Sequence, residues 1–237
     1  MGITEFIAAT LAVILGSVVQ VASGVGGGFL IVPLLAWIDV SLVPVPLIFA
    51  SLSLSGLMAV RGRRLVDWQY IPATLIGMIP GTIAGAYVLT VVPTDNLGIV
   101  FGGVILIGIA ITSSGLHIPL TRATAMIAGA LSGVTGASTG IGAPLLALVY
   151  QHESGPKIRA TLAALYTSAS VLMLVILFGF GKFRAPEFQS GLALIPGFLL
   201  GYWVANHFTA HIDRAGSRIA VLAVSAAAAV MLIARSW

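Results

Sequence analysis

The chain has 237 residues, of which 59% are hydrophobic and 8% are charged, and its mean hydropathy is +1.11. A soluble domain carries about 25% charged residues, so this composition excludes a soluble fold and predicts an integral membrane protein. The net charge of +4 comes from scattered basic residues and predicts no nucleic-acid partner. Because there is no cysteine, disulfides, thiolate metal sites and a cysteine nucleophile are excluded.

Continuous apolar blocks favour membrane-spanning helices, each of about 20 residues, over a β-barrel with alternating polarity. In chain order, spans are predicted over Ile3–Ala22, Val45–Val60, Tyr70–Val92, Leu97–Leu116, Ala160–Gly181, Phe188–Phe208 and Ile219–Ala234. Shorter apolar segments are predicted over Phe29–Ile38, Ala123–Val134 and Ala143–Gln151. Each half of the chain thus has one broken helical pair followed by three spans.

The two halves share sequence at corresponding places. GGFLIVPLLA (Gly27–Ala36) aligns with STGIGAPLLA (Ser138–Ala147), and IPGTIAGAY (Ile79–Tyr87) aligns with IPGFLLGYW (Ile195–Trp203). The offsets, about 111 and 116 residues, predict an internal duplication with a first repeat over 1–118 and a second over 119–237. Chance similarity between Leu-, Ala- and Gly-rich segments is the alternative, and two matches in the same order argue against it.

Basic residues favour the cytoplasmic side of a membrane. The densest basic loop, RGRR at 61–64, is therefore placed inside, which puts both termini outside and eight of the eleven Lys and Arg residues inside. Because three spans follow each broken pair, the repeats have opposite orientations, as in many secondary transporters. The predicted fold is an all-α, multi-pass protein of the cell membrane with two inverted repeats. Whether the broken pairs are re-entrant or cross completely stays open, since both give the same charge distribution.

The glycines of Gly24–Gly28 interrupt an apolar segment. Glycine inside a helix costs about 1 kcal/mol relative to alanine, so this run predicts a helix break at mid-membrane. Free N–H groups at the start of the next helix favour anions. The short helices beginning near Phe29 and Ala143 are expected to point their N-termini at each other, with Pro33 and Pro144 near their first turns. The alternative, helix packing, is preferred for the spaced glycines elsewhere, and these faces suggest a homodimer.

Neutral donors near the two breaks form the predicted substrate site. No acidic residue lies between Glu5 and Asp39 or between Arg122 and Glu153, which disfavours a cation site. Serine and threonine hydroxyls on the following spans, at 51, 53, 55, 167 and 168, either complete the pocket or bond their own backbone. The predicted binding set is Gln20, Ser23, Gly24, Gly26, Gly27, Gly28, Ser51, Gly136, Ser138, Thr139, Gly140, Gly142, Tyr166 and Thr167.

Neither a cofactor nor a metal is predicted. His207 and His211 are four residues apart with Asp213 nearby, which permits metal binding. They fall at a predicted membrane interface without a clear further ligand, so solvation is the preferred interpretation.

The paired stretches SGVGGGFLIVPLL and TGASTGIGAPLLAL, each opening one half, resemble the TauE/SafE family of sulfite and organosulfonate exporters over essentially the whole chain. Thr139 and Ile141 interrupt what the family usually presents as a glycine run. The resemblance implies transport of small sulfur-containing anions, such as sulfite, sulfonates or thiosulfate, or of related carboxylates.

Transport of a small anion, not catalysis, is therefore the predicted function. With the cell interior negative, anion export is electrically downhill by about 2.3 kcal/mol per charge at 100 mV. A structural membrane subunit and an intramembrane enzyme are the alternatives. The enzyme is disfavoured because Ser138 has no visible base beside it in the sequence.

Overall fold

A computed structural model describes residues 2–93, 96–115, 118–150, 155–208 and 214–235. Within these ranges the structure consists of helices and turns, with no strand. The α-helices, in chain order, are α1 Ile3–Ser23, α2 Gly27–Ile38, α3 Val45–Gly62, α4 Ile71–Val91, α5 Leu97–Ser113, α6 Arg122–Thr139, α7 Ala143–Tyr150, α8 Gly155–Gly179, α9 Ala185–Phe208 and α10 Arg214–Arg235. This confirms the predicted all-α fold class.

Several helices are long and apolar enough to cross a membrane. By length and composition these are Ile3–Ser23, Val45–Leu65, Ile71–Val91, Gly155–Gly179 and Ala185–His207. Large apolar side chains also cover their outer surfaces, among them Ile76, Val175 and Phe178, of which 57%, 65% and 69% is exposed. Such a surface suits lipid, and the protein is a polytopic membrane protein.

Helix boundaries differ most from their predicted positions in α6, α8 and α10. Helix α8 begins at Gly155, before the charged residues that were expected to precede the span, and α10 likewise begins at Arg214. A helix can continue beyond the apolar layer, so counting apolar residues finds the span and misses the helical end. Helix α6 continues to Thr139, because small and hydroxyl residues are compatible with a helix when its neighbours pack closely. Pro33 is the seventh residue of α2, not near its first turn as predicted.

The spaced glycines let helices pack backbone to backbone. A Cβ atom placed on Gly81 of α4 would lie 1.9 Å from the carbonyl oxygen of Ala130 on α6. One placed on Gly201 of α9 would lie 2.5 Å from the Cβ atom of Ser17 on α1. Any side chain larger than hydrogen would separate these helices, which supports the packing interpretation for the glycines outside the breaks.

Helices from the two halves of the chain interleave. Helix α4 packs on α6, as α9 packs on α1, while α3 packs on α8 and α5 packs on α10. The short helices also correspond, since α2 contacts α10 and α7 contacts α5. Exchanging α1–α5 for α6–α10 therefore reproduces these principal pairs. The arrangement brings the α1–α2 break and the α6–α7 break into one interior region beside α3 and α8.

Candidate functional site

The first helix break is made by two glycines in the left-handed backbone region. Gly24 ends α1 with φ +77°, and its N–H donates to the carbonyl oxygen of Gln20 at 2.7 Å. Gly26, with φ +100°, precedes α2. Residues with a Cβ atom pay an energetic penalty there, of about 1–2 kcal/mol, so the sequence turns the chain at these glycines.

The Gln20 side chain bridges the same break. Its Nε2 donates to the carbonyl oxygen of Gly24 at 3.0 Å, and its Oε1 accepts from the N–H of Gly27 at 3.1 Å. The amide thereby satisfies one backbone group on each side of the break. The Ser23 hydroxyl lies 2.7 Å from the Val19 carbonyl oxygen and also contacts that of Val25, so it is engaged within the turn.

The second break uses a hydroxyl instead of an amide. Gly140 ends α6 with φ +79°, and its N–H donates to the carbonyl oxygen of Gly136 at 2.8 Å. Thr139 Oγ1 accepts from the N–H of Ile141 at 3.2 Å. Ser138 donates to the Val134 carbonyl oxygen at 2.7 Å. Both hydroxyls therefore stabilise the end of α6.

The two breaks adjoin each other. A Cβ atom placed on Gly28 would lie 3.8 Å from Ile141 Cγ1 and 3.9 Å from the carbonyl oxygen of Gly140. A Cβ atom on Gly140 would lie 3.3 Å from Leu47 Cδ2 of α3. The start of α2, the end of α6 and the first part of α3 thus meet at one place.

A cavity of about 120 Å³ opens at this junction, between the breaks and helices α3 and α8. This volume suits a small solute rather than a drug-sized ligand, which needs about 300 Å³ or more. Nine members of the predicted binding set line it: Gln20, Gly24, Gly27, Gly28, Ser51, Gly136, Gly140, Gly142 and Tyr166. The other five, Ser23, Gly26, Ser138, Thr139 and Thr167, are not among its lining residues. Thr167 donates to the carbonyl oxygen of Ala163 at 2.8 Å.

Further lining residues were missing from the predicted set. Ser170 and Met173 follow Tyr166 at helical spacing on α8, so the periodicity of one helix face could have identified them. Met78 comes from α4 and Phe198 from α9. Their proximity depends on how the two halves interleave, which local sequence does not specify.

Two cavity hydroxyls have no hydrogen-bond partner among the described residues. The Tyr166 ring is partly exposed, but its hydroxyl oxygen is completely buried and unpaired. Ser170, four residues further along the same helix, is also without a described partner. By contrast, Ser51 donates to the Ile48 carbonyl oxygen at 2.9 Å, and Ser55 donates to that of Ser51 at 3.0 Å. A buried unpaired hydroxyl costs about 1–3 kcal/mol, so a bound solute or water would stabilise Tyr166.

The backbone adds one more donor. At the N-terminus of α2, the N–H of Phe29 donates to the Gly26 carbonyl oxygen at 3.2 Å, and the N–H of Gly27 is held by Gln20. The intervening N–H of Gly28 has no acceptor among the described residues. Gly28 lines the cavity together with Tyr166 and Ser170.

Charged residues approach the first break from α8, although the local sequence contains none. A Cβ atom on Gly24 would lie 2.8 Å from Arg159 Cγ, so the stem of this arginine lies against the break. Two residues earlier in the chain, Lys157 forms a 2.9 Å ion pair with Asp67. The N–H of Gln69 and the Lys157 ammonium group hold the pKa of the Asp67 carboxyl below its ordinary value. The predicted set of neutral site residues therefore has an arginine in contact with its first break.

The His207 side chain is exposed near the end of α9. Its ring lies 4.4 Å from the Trp203 ring, centroid to centroid, and its Nδ1 is 2.9 Å from the Trp203 carbonyl oxygen. His211 and Asp213 lie outside the described residues. Within the described residues, no group of His, Asp and Glu side chains is placed to hold a metal.

Apolar helices surrounding a small cavity at two adjoining helix breaks define a polytopic α-helical membrane protein with an internal solute-sized site. The chain matches the family model described as "Sulfite exporter TauE/SafE" over residues 9–232. It therefore belongs to that family of exporter-type membrane transporters, which confirms the resemblance seen in the sequence. No curated protein and no solved structure matched the chain.

Proposed function

We propose that this protein exports small anions, with sulfite, sulfonates and thiosulfate as the leading substrates, and that the anion binds between the two helix breaks. The observation that carries the proposal is that three residues lining the cavity, Gly28, Tyr166 and Ser170, carry neutral donors, an N–H and two hydroxyls, without a partner among the described residues. Donors at the start of a helix stabilise negative charge. Their neutrality suits a transporter, which has to release its substrate as well as bind it.

Two inverted repeats are part of the proposal, one over 1–118 and the other over 119–237. The reciprocal packing of α4 on α6 and of α9 on α1 supports the duplication. We place RGRR at 61–64 on the cytoplasmic side of the cell membrane and both termini outside, following the distribution of basic residues. In this orientation, each repeat contributes one helix break to the site, and rocking of one repeat against the other would expose the site to alternate sides.

Export follows the membrane potential. A monovalent anion leaving a cell that is negative inside gains about 2.3 kcal/mol per 100 mV. We therefore propose electrically driven export with no catalytic step.

Efflux from proteoliposomes tests the proposal. Vesicles are loaded in turn with methanesulfonate, thiosulfate, sulfite or acetate, and a potassium gradient with valinomycin sets the potential. We expect efflux of at least one anion to accelerate when the loaded side is negative. Flux that ignores the potential would contradict electrical driving, and no flux of any anion would favour a structural subunit.

The variant Gly28→Leu tests whether the anion binds at this cavity. Its side chain would enter the space between Gly28 and Ile141, whereas a Cβ atom placed on Gly103 would face open space, so Gly103→Leu serves as a control. We expect Gly28→Leu to abolish efflux and Gly103→Leu to retain it, with both variants inserted in the membrane. Undiminished efflux in Gly28→Leu would place the substrate elsewhere.

A further inference from the structure

The wall of the cavity is neutral. Its described lining consists of apolar side chains, glycines and five neutral polar residues, Gln20, Ser51, Ser55, Tyr166 and Ser170. Three methionines, Met58, Met78 and Met173, contribute thioether groups from α3, α4 and α8. Thioethers are polarisable and carry no charge. An anion in this cavity would therefore touch only neutral groups among the described lining residues, while the stem of Arg159 lies against Gly24.

Few of those polar groups have capacity left for a ligand. The Gln20 amide uses one of its two N–H groups on Gly24 and its oxygen on Gly27. Ser51 and Ser55 donate their protons to helix carbonyl groups. The unpaired donors on described lining residues include the Gly28 N–H, the second N–H of the Gln20 amide and the hydroxyls of Tyr166 and Ser170.

A small set of neutral donors suits an anion with one negative charge better than an anion with two. The self-energy of an ion moved from water into a low-dielectric region grows with the square of its charge, so a dianion incurs about four times the cost of a monoanion of the same size. Hydrogen-bond and dipole stabilisation grows only in proportion to charge. Adding the second charge therefore increases the cost faster than this wall can offset it.

We propose that the cavity selects singly charged anions, an inference that rests on the proposed function. An oxyanion with two ionisations therefore crosses as its protonated monoanion and carries its own proton. On the loading side the dianion takes one proton from water before it binds. On the far side the released monoanion returns that proton to water. Each cycle moves one net negative charge, because the dianion crosses together with one proton. No bond to the protein forms, and no carboxylate relay is required.

Two anions of matched shape test the charge selection. Methanesulfonate has one charge across the neutral range, whereas methylphosphonate changes from one charge to two at its second ionisation. The half-saturating concentration of each is measured from the melting temperature of the purified protein in detergent, on both sides of that ionisation. A change in the charge of a protein group near the cavity, such as Tyr166 or Arg159 beside Gly24, would change the binding of both anions. Methanesulfonate is therefore the internal control.

We expect the half-saturating concentration of methylphosphonate to rise by about tenfold per pH unit above its second ionisation, following the loss of the monoanion. That of methanesulfonate stays constant. Equal or tighter binding of the methylphosphonate dianion would overturn the charge selection while leaving the anion site in place. Failure of both anions to stabilise or cross would remove the anion site itself and this inference with it.

Proteoliposomes with a trapped pH indicator test the proton. Entry of methylphosphonate should carry protons with it, and entry of methanesulfonate should not. The variant Met173→Lys provides a further test, because it places a cation of similar volume in the cavity wall. We expect the ratio of dianion to monoanion affinity to rise by at least about tenfold. Met173→Leu is the control. An unchanged preference in a folded Met173→Lys protein would contradict the electrostatic argument, and the wild-type titration decides the question if this variant fails to fold.

Discussion

The two helix breaks satisfy similar backbone requirements with different side chains. Each follows a long helix that ends at a left-handed glycine, Gly24 in the first and Gly140 in the second. Four residues before that glycine, the first break has Gln20 and the second has Gly136. Gln20 bridges its break with two hydrogen bonds, whereas Thr139 closes the second break with one to the N–H of Ile141.

This difference shows that two helix breaks with the same left-handed turn can be stabilised by different side chains. The amide of Gln20 fixes the start of α2, and the adjacent Gly28 N–H has no acceptor in the part of the chain that the structure describes. At the second break, Gly136 provides space, since a Cβ atom there would lie 2.5 Å from Met173 Cε. The first break thus supplies polar contacts, and the second supplies room for the cavity.

Removing the amide bridge should have the largest effect. Gln20→Leu leaves the Gly24 carbonyl and the Gly27 N–H without their side-chain partner, and we expect a loss of stability of about 2–4 kcal/mol. Thr139→Val removes one contact across its break, from the Ile141 N–H, and one hydrogen bond within α6, to the Thr135 carbonyl oxygen, and should cost about 1–2 kcal/mol. Thermal unfolding in one detergent compares the two. A larger loss for Thr139→Val would reverse the assignment of roles.

Gly24, whose backbone is left-handed, should tolerate substitution less well than Gly28 at the start of α2. Gly24→Ala forces a Cβ atom to φ +77° and to within 2.8 Å of Arg159 Cγ, so we expect a loss of about 1–2 kcal/mol. Gly28→Ala has free space around its new methyl group and should change stability by less than about 1 kcal/mol. Equal losses in thermal unfolding would show that Gly28, too, is fixed by packing.

Tyr166→Phe should separate binding from stability. The substitution removes a buried hydroxyl that has no described partner, so stability should stay constant or rise slightly. If that hydroxyl donates to the anion, affinity should fall by about tenfold, or about 1.4 kcal/mol. Anion titrations of the melting temperature measure both quantities together. Unchanged affinity would remove Tyr166 from the site.

The ion pair between Asp67 and Lys157 should contribute least. The Asp67 pKa is lowered in the folded state, so its contribution is complete above the ordinary Asp pKa of about 3.9 and is lost as the pH falls through the lower folded value. Because Lys157 is 37% exposed, solvent screening limits the contribution to about 0.5 kcal/mol. Asp67→Asn should remove it, and the acid limb of the unfolding curve should then flatten. A loss above about 2 kcal/mol would indicate a role in holding α8.

Hydropathy and glycine content were sufficient to predict the helices and both breaks, because membrane spans and left-handed turns depend on local composition. Gly28 and Tyr166 of the predicted set line the cavity. Ser138 and Thr139 do not, since a hydroxyl in a helix readily bonds the carbonyl one turn earlier. Arg159 was missed beside Gly24 because that contact joins residues far apart in the chain.

Thiol protection tests the central claim most directly, because the natural chain has no cysteine. Ser170→Cys places one thiol at the cavity, and Thr167→Cys places one on the same helix away from the lining residues. Labelling with methyl methanethiosulfonate is followed by mass spectrometry, with and without methanesulfonate. The account predicts that methanesulfonate slows labelling of Ser170→Cys and leaves Thr167→Cys unaffected. Equal protection of both, or protection of Thr167→Cys alone, would contradict an anion site between the two breaks.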